Sequence, residues 1–468
     1  MPRMQQAADT APTSVTFANL WLDGSWLRDA TVTIDAGGNT VAIAAGRGGA
    51  AQLVPGLTLP GLIDAHCHAF QRALGPWTQR AVGQRDDFWS WRETMYALAG
   101  KLRCDDLETI AARCYLELLQ GGYTAVAEFL YLHRCGDRLA LDADRAIAAA
   151  AQRTGIGLTL LPTLYQYADF GGAPPQPGQL PFVRSGAQFL EDWQELGRRY
   201  PAGSAVALGL AFHSLRAVDI DTIGHVYQTL HGDALCRCVH IHVAEQPAEV
   251  AGCVRQYGLP PVALLAARGL LSPQWALVHA THATETELAQ LRTAQATLVL
   301  CPTTEADLGD GCPVVAPFLD AGGKIALGSD SNIGRNAVME LRQLEWSQRL
   351  ARGRRNVLAC SHEPYVADRL YQAALHGGRS AIGAGHGATR ADYVTFDSDA
   401  GDWDLQAPSD FLSALVFDAA TPRAQQVMIG GRWIIRNGVH PEAARIETRY
   451  RETMQRLQLA IRTGNHHA

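Results

Sequence analysis

Lysine is almost missing: of 40 basic residues only Lys101 and Lys324 are lysine, and the rest are arginine. Ten cysteines are present, but no CxxC pair and no regular spacing, which excludes a disulfide-dense secreted scaffold and a zinc-ribbon framework. Cys236 and Cys238 are too close for a zinc knuckle and read as part of a strand, so reduced thiols in a cytoplasmic protein are expected. No apolar run approaches the roughly 20 residues of a membrane span. The opening stretch MPRMQQAADTAPTS lacks the apolar centre of a signal peptide. Positive charge is not in excess either: the net charge is -6 and no basic patch stands out, which argues against nucleic acid as a partner. Charged residues are only 18% against 47% hydrophobic, a balance that supports a large buried core rather than disorder.

At 468 residues the chain is long for one core, so a large domain with an appended module is expected. Residues 1–60 read as short strands and turns: VTFANLWL, the Asp23-Gly24 turn, TVTID, a Gly-Gly turn and VAIA. The far end is again β-rich, in ADYVTFD, QQVMIGGRWII and the Asn437-Gly438 turn. The two ends predict one small β-sandwich, from 1–60 and 381–441, with a helix and tail over 442–468. Between them, over 61–380, apolar β-branched runs recur at 62–68, 123–129, 156–163, 205–212, 237–243, 275–279, 296–301 and 324–330. Amphipathic stretches such as CDDLETIAARCYLELLQ separate most of them, the pattern of a TIM (β/α)8 barrel. A long connection, 69–100, rich in Trp and Arg, follows the first strand. Long loops on a rigid scaffold tend to carry function.

His66-x-His68 ends the first strand, and alternate residues of a strand share a face, so both imidazoles enter the barrel mouth together. His242 ends the fifth strand, His279 the sixth and Asp330 the eighth. All lie at C-terminal strand ends, where barrel enzymes place their chemistry. Imidazole nitrogens with a carboxylate oxygen suit zinc with one position left open. His240, one layer deeper, reads as a hydrogen-bonded core histidine, and His282 as a residue that orders a loop.

The runs LPGLIDAHCHAFQRA, HIHVAEQ, LVHATH and LGSDSN resemble the amidohydrolase superfamily in its deaminase branch, over nearly the whole chain. The resemblance implies that His66, His68, His242 and Asp330 bind one divalent metal, most plausibly zinc. It also implies that Glu245 shuttles protons, that His279 holds the attacking water, and that Asp330 takes the remaining proton. Superfamily members with two metals bridge them through a carboxylated lysine on the fourth strand. Here AVALGLAF has no lysine, Lys101 reads as helical and Lys324 lies at the wrong end of the eighth strand, so one metal is expected.

The long first loop, AFQRALGPWTQRAVGQRDDFWSWRETMY, with FLYLHR after the second strand and FHSLR after the fourth, resembles the N-formimino-L-glutamate deiminases of histidine degradation. That resemblance implies substrate contacts from Gln71, Arg92, Tyr131, His213 and Arg216. The implied substrate is a small dianion, and arginine binds carboxylates bidentately. Trp89 and Trp91 read as an apolar lid base rather than ligands. The alternative is a mononuclear aminohydrolase for guanine or a related heterocycle, which would call for aromatic stacking and amide donors. A metal-binding scaffold without catalysis would lack part of the acid–base set, yet Glu245, His279 and Asp330 are all present. The resemblance suggests a homodimer as the assembly.

Overall fold

The computed structural model describes residues 13–49, 51–81, 87–134, 141–384, 389–397 and 408–464. Eight parallel strands form a barrel: β1 (Leu62–Cys67), β2 (Tyr123–Leu130), β3 (Gly157–Leu164), β4 (Val206–Leu208 with Leu210–Ser214), β5 (Val239–Val243), β6 (Trp275–His279), β7 (Thr297–Leu300) and β8 (Lys324–Leu327). β1 hydrogen-bonds to both β2 and β8, which closes the ring. Strands such as VHIHV and WALVH are buried at every position, as a parallel sheet enclosed by helices requires. The helix Cys104–Gln120 covers the barrel with Leu107, Ile110, Ala111, Cys114 and Leu118, spaced three and four apart. Residues 82–86 of the long 69–100 connection lie outside the described residues, as does the chain beyond 464.

The fourth strand is broken at Gly209. Val206–Leu208 pairs with β3, Gly209 N donates to Leu160 O and Leu210 N to Cys238 O, and Leu210–Ser214 then pairs with both β3 and β5. A Cβ at Gly209 would stand 2.5 Å from Cys238 Sγ and 2.6 Å from Leu161 Cδ2, so only glycine fits this crossing. Two further expectations are corrected. Cys236 and Cys238 precede β5 rather than lie in it, because Arg237 N still bonds to Leu235 O and Leu208 O. Lys101 is not helical: the helix Phe88–Ala99 ends at Gly100, whose N–H turns back to Tyr96 O. Lys324 opens β8 at its N-terminal end, with Nζ on Gln295 O at 3.2 Å.

The chain ends meet in a second sheet of seven strands. Thr13–Leu22, Ser25–Ile34, Thr40–Ala44 and Gln52–Pro60 come from one end, and Tyr393–Phe396, Ala424–Ile429 and Arg432–Ile435 from the other. Gln52–Pro60 is the seam, parallel to Thr13–Leu22 and antiparallel to Tyr393–Phe396, with Thr58 and Thr395 hydroxyls 2.9 Å apart. Phe17, Leu20, Val32, Val54, Tyr393 and Met428 form its own core. Trp21 Nε1 donates to Asp368 Oδ1 at 3.0 Å, pinning this sheet to the barrel helix Val366–Ala381. The last helix, Ala443–Gly464, lies on Cys104–Gln120 through the Arg113–Glu447 ion pair of 2.8 Å. Among the described residues no disulfide joins the cysteines, and no helix is long and apolar enough to cross a membrane.

Residues in register on parallel strands share a face, so His242, Val278, Val299 and Ala326 line the same interior. His240, two residues below His242, gives Nε2 to Ala381 O at 2.7 Å, and burial pushes its imidazole down to about 4. Helix Val366–Ala381 therefore stops the N-terminal end of the lumen. It approaches β8 so closely that a Cβ at Gly377 would overlap the Ile325 carbonyl. Gly377→Ala is expected to destabilise the fold by about 1–3 kcal/mol, the usual cost of overpacking. Thermal unfolding checks this: a variant melting with the parent would show that the helix can slide off β8.

Candidate metal and substrate site

Every histidine that gathers at the C-terminal mouth sits at a strand end. His66 Nε2 lies 3.0 Å from His242 Nε2 and 3.4 Å from Asp330 Oδ1, and His68 Nε2 lies 3.2 Å from the same oxygen. The four ligand atoms fall within 4.8 Å of one another, and all four residues are buried. Donors about 2.0–2.2 Å from one ion in a tetrahedron stand roughly 3.2–3.6 Å apart, so these spacings fit a single zinc-sized cation. The outer nitrogens support the same reading. His68 Nδ1 faces Phe129 O at 3.0 Å and His242 Nδ1 faces His213 O at 2.8 Å, which turns their Nε2 lone pairs inward. Burial drives the His66 imidazole down to about 3 and His242 well below its usual range, while the flanking imidazoles His66 and His68 hold Asp330 far down despite its burial. Neutral imidazoles with an ionised carboxylate are the donor set a divalent metal takes.

The backbone is bent to bring these groups in. Ala244, His279, Ala280, Asp330 and Asn332 all have positive φ, between 44° and 69°, although none is glycine. Such left-handed conformations cost energy and persist only where the surroundings enforce them. At Ala244 and beside Asp330 buried carboxylates do so. Glu249 accepts Ala244 N at 3.1 Å and Glu245 N at 3.2 Å. Asp64 accepts Ser329 N at 2.9 Å and Ser329 Oγ at 2.6 Å. Glu128 accepts Ala69 N at 2.9 Å, and Glu305 accepts Cys301 N at 2.9 Å. Burial raises Asp64, Glu128 and Glu249 each to about 7.

Beside the cluster, His279 Nε2 lies 3.7 Å from Glu245 Oε1 and 3.8 Å from Asp330 Oδ2, with Nδ1 3.4 Å from Glu305. Burial opposes a charge on His279, but Glu245 and Glu305 hold it up at about 10. Burial raises Glu245, against the pull of His279 and Arg216. Above them a pocket is lined by Gln71, Arg92, Tyr131, His213 and Arg216, together with His68, His242, Glu245 and Asp330. All five residues expected from the loops thus reach the cavity over the cluster. Gln71 Nε2 donates to Tyr131 OH at 2.7 Å. Arg92 and Arg216 both have buried Nε atoms without an acceptor, and neither forms an ion pair among the described residues. Both guanidiniums lie over Trp89, at 4.5 Å and 5.9 Å, while Trp91 lines the pocket wall. Sequence reasoning missed Tyr96 and Tyr165 in this wall, and the carboxylates Asp64, Glu128, Glu249 and Glu305 behind it. The signal for the latter was a lone acid inside an apolar run, as in LIDAH and AVAEF. A roomier cavity opens at the opposite, N-terminal end, but its ionisable side chains are Arg237, Arg379, Arg390 and Asp392 besides Tyr200, without the acid–base mixture seen here.

Residues 57–434 match the model of the amidohydrolase family. The chain belongs to that family. It is 40% identical over 432 residues to formimidoylglutamate deiminase of Pseudomonas aeruginosa, covering 90% of this chain and 94% of the relative. It is 30% identical over 395 residues to 8-oxoguanine deaminase of the same organism, covering 82% and 83%. A crystal structure of an amidohydrolase from Brucella melitensis superposes with a TM-score of 0.88 at 34% identity, over 95% of this chain and all of that one. An adenosine deaminase from Xanthomonas campestris, solved with bound zinc, shares the fold at 21% identity and a TM-score of 0.78, over 96% and 98%. The chain is therefore an amidohydrolase-family enzyme, and its buried His/His/His/Asp group could hold a divalent metal.

Metal analysis of the purified protein is expected to return one equivalent of divalent metal per chain. His242→Ala should lose it, and a chelator should lower the melting temperature of the parent but not of the variant, since binding to the folded state stabilises it. Two equivalents, both required for activity, would overturn the single-ion site.

Proposed function

We propose that the enzyme hydrolyses the amidine of N-formimino-L-glutamate, giving N-formyl-L-glutamate and ammonia, the reaction that the resemblance to formiminoglutamate deiminases associates with histidine degradation. The observation that carries this reading is the pair of guanidiniums, Arg92 and Arg216, that line the pocket over the metal-type cluster and form no ion pair among the described residues. Two cations fixed in a buried wall call for a ligand with two carboxylates, and formiminoglutamate has them. The 40% identity to a formimidoylglutamate deiminase over 90% of the chain supports the same substrate. A flat heterocycle would leave both arginines desolvated without partners.

His66, His68, His242 and Asp330 would hold the metal, zinc by its donor set. Bound there, the ion acidifies water so that hydroxide is available near neutral pH. The chain's own groups do the rest. Water oxygen bonds to the formimino carbon, and the bond from that carbon to the terminal nitrogen breaks. The amidine is a strong base and enters as the amidinium, whose terminal nitrogen already carries two hydrogens. Glu245 takes a water proton and delivers it there as the third, and the nitrogen leaves as ammonia. His279 Nε2, facing Glu245 and Asp330, holds the attacking water, and Asp330 Oδ2 takes its remaining proton. Arg92 and Arg216 bind the two carboxylates, while Gln71, Tyr131 and His213 fix the chain between them. Most of these groups are buried, which strengthens each of these charge contacts.

Ammonia release from formiminoglutamate, measured beside guanine, tests the reading. Activity on guanine alone would replace it with a nucleobase deaminase. Glu245→Gln should keep the metal and the melting temperature but lose about 10²–10⁴-fold in kcat, the usual share of a general acid–base group. Near-parental kcat would assign the proton to another residue. Arg92→Met and Arg216→Met should each lower kcat/KM for formiminoglutamate by about tenfold to a few hundredfold, the equivalent of about 1.5–3 kcal/mol, with the metal retained. Parental kcat/KM in both variants would remove the dianion pocket.

A further inference from the structure

The barrel closes where its last strand meets its first, and there the ladder is thin. β8 and β1 share one register pair, Leu327 with Asp64, and an isolated bridge, Cys67 with Asp330. The metal-type cluster is assembled across that seam, with His66 and His68 on one side and Asp330 on the other. Beyond the ladder, Asp330 N donates to His66 O at 2.8 Å and His68 N to Asp330 O at 3.0 Å. One side chain then bridges the two strand ends. Asn332 Nδ2 donates to His68 O at 2.9 Å and to Asp330 O at 3.0 Å. Both of its N–H bonds are thereby committed to the backbone of two cluster residues, one from each side of the seam. The amide oxygen is held as well: it accepts the Cys114 thiol of helix Cys104–Gln120 at 2.9 Å, and Cys67 Sγ lies 3.6 Å from it. With two carbonyls at the nitrogen and two thiols at the oxygen, only this orientation of the amide satisfies every group.

We infer that Asn332 is a positioning residue: its amide holds His68 and Asp330 at the spacing that one cation needs, and so sets the metal affinity of the site. This rests on the single-metal reading of the cluster and, for turnover, on the deiminase reading above. Asn332 is buried and has φ 63°, the left-handed region that asparagine and aspartate enter more readily than other residues with a side chain. Aspartate shares that backbone and that length but brings no N–H, so it would set an oxygen against both carbonyls. Glutamine has the donors but is one carbon too long for a sealed space. The residue therefore combines three properties that the seam requires together: a bend, a short reach and two donors. Groups that orient metal ligands from outside commonly account for about 10–100-fold in affinity or activity. Arg92 and Arg216 lie on other segments, so capture of the substrate's carboxylates does not depend on this amide.

The test measures zinc affinity with a competing chelator, and the visible absorption of the cobalt(II)-loaded protein, in the parent, Asn332→Asp and Asn332→Gly. Asn332→Asp changes only the donors, whereas Asn332→Gly keeps the positive φ, admits water and serves if the charged variant folds poorly. Gly377→Ala, which strains the opposite end of the barrel, controls for lost stability alone. The expected result is zinc binding weakened about 10–100-fold in both variants of Asn332, with a cobalt spectrum altered in shape. The control should keep parental affinity and spectrum. With zinc saturating, kcat for formiminoglutamate should fall in the Asn332 variants while KM stays near the parent's. Parental zinc affinity and cobalt spectrum in both variants would overturn the inference, as would the same losses in Gly377→Ala. A parent that binds no divalent metal would overturn the metal-site reading, and the inference with it. A parent that binds metal but releases no ammonia from formiminoglutamate would overturn the substrate reading alone, since zinc affinity still decides the role of Asn332.

Discussion

The contact on which the site depends is a buried carboxylate closing on backbone N–H groups at the end of a barrel strand. It occurs at Asp64 on Ser329, Glu128 on Ala69, Glu249 on Ala244 and Glu245, and Glu305 on Cys301. Each strand end has to leave the regular ladder so that its last side chain can turn over the lumen, and leaving it strands N–H groups in a dry interior. Unpaired, such groups cost about 1–3 kcal/mol apiece. A carboxylate with two oxygens satisfies two of them at once and fixes the turn. Positive φ at Ala244 and Asp330 is the other side of the same arrangement, since Glu249 and Asp64 close on the backbone at or beside these bends.

This division separates what the strands do from what the loops do. The histidines and Asp330 sit on or close beside strands, held by the barrel's hydrogen bonds. Arg92 comes from helix Phe88–Ala99, inside the long connection after β1, and Arg216 from the turn after β4. Those segments lie outside the strands that carry the cluster, so the ligand-binding wall can vary on an unchanged barrel frame. The pocket chemistry here is ionic. The two guanidiniums lie over Trp89 and form no ion pair among the described residues.

Much of this was legible in the sequence, and the reasons differ by element. Strand identity was read from apolar runs because a parallel strand buried on both faces has little choice of composition, and the eight runs match eight strands to within a few residues. The inward pair at His66 and His68 follows from the two-residue period of a strand. The break at Gly209 was not legible: nothing local marks it, and the glycine is demanded by Cys238 and Leu161, which are distant in sequence. Cys236 and Cys238 were drawn into β5 because their apolar character continues the run, while the actual boundary is set by where Arg237 N finds its acceptors. The carboxylate clamps were missed for a related reason. An isolated Glu128 inside AVAEF says that something polar is buried there, but not that its partners are Ala69 N and Tyr115 OH.

The balance of charge explains why so acidic an interior is tolerable. Asp64, Glu128, Glu249, Glu305, Glu245 and Asp330 crowd around one end of the lumen, and burial alone pushes most of them towards neutrality. Asp330 is the exception, because three imidazoles surround it and hold it ionised. The interior thus contrasts Asp64, Glu128 and Glu249, which serve the backbone and are raised by burial, with Asp330, the carboxylate committed to the cluster. A cation placed among His66, His68, His242 and Asp330 would relieve the mutual repulsion of both kinds at once. The same anionic field reaches Arg216, whose guanidinium is stabilised by Glu249 and Glu245 despite complete burial. Glu249, which holds the bend at Ala244, also helps keep the buried Arg216 cation charged, so clamp, cluster and pocket share one electrostatic field.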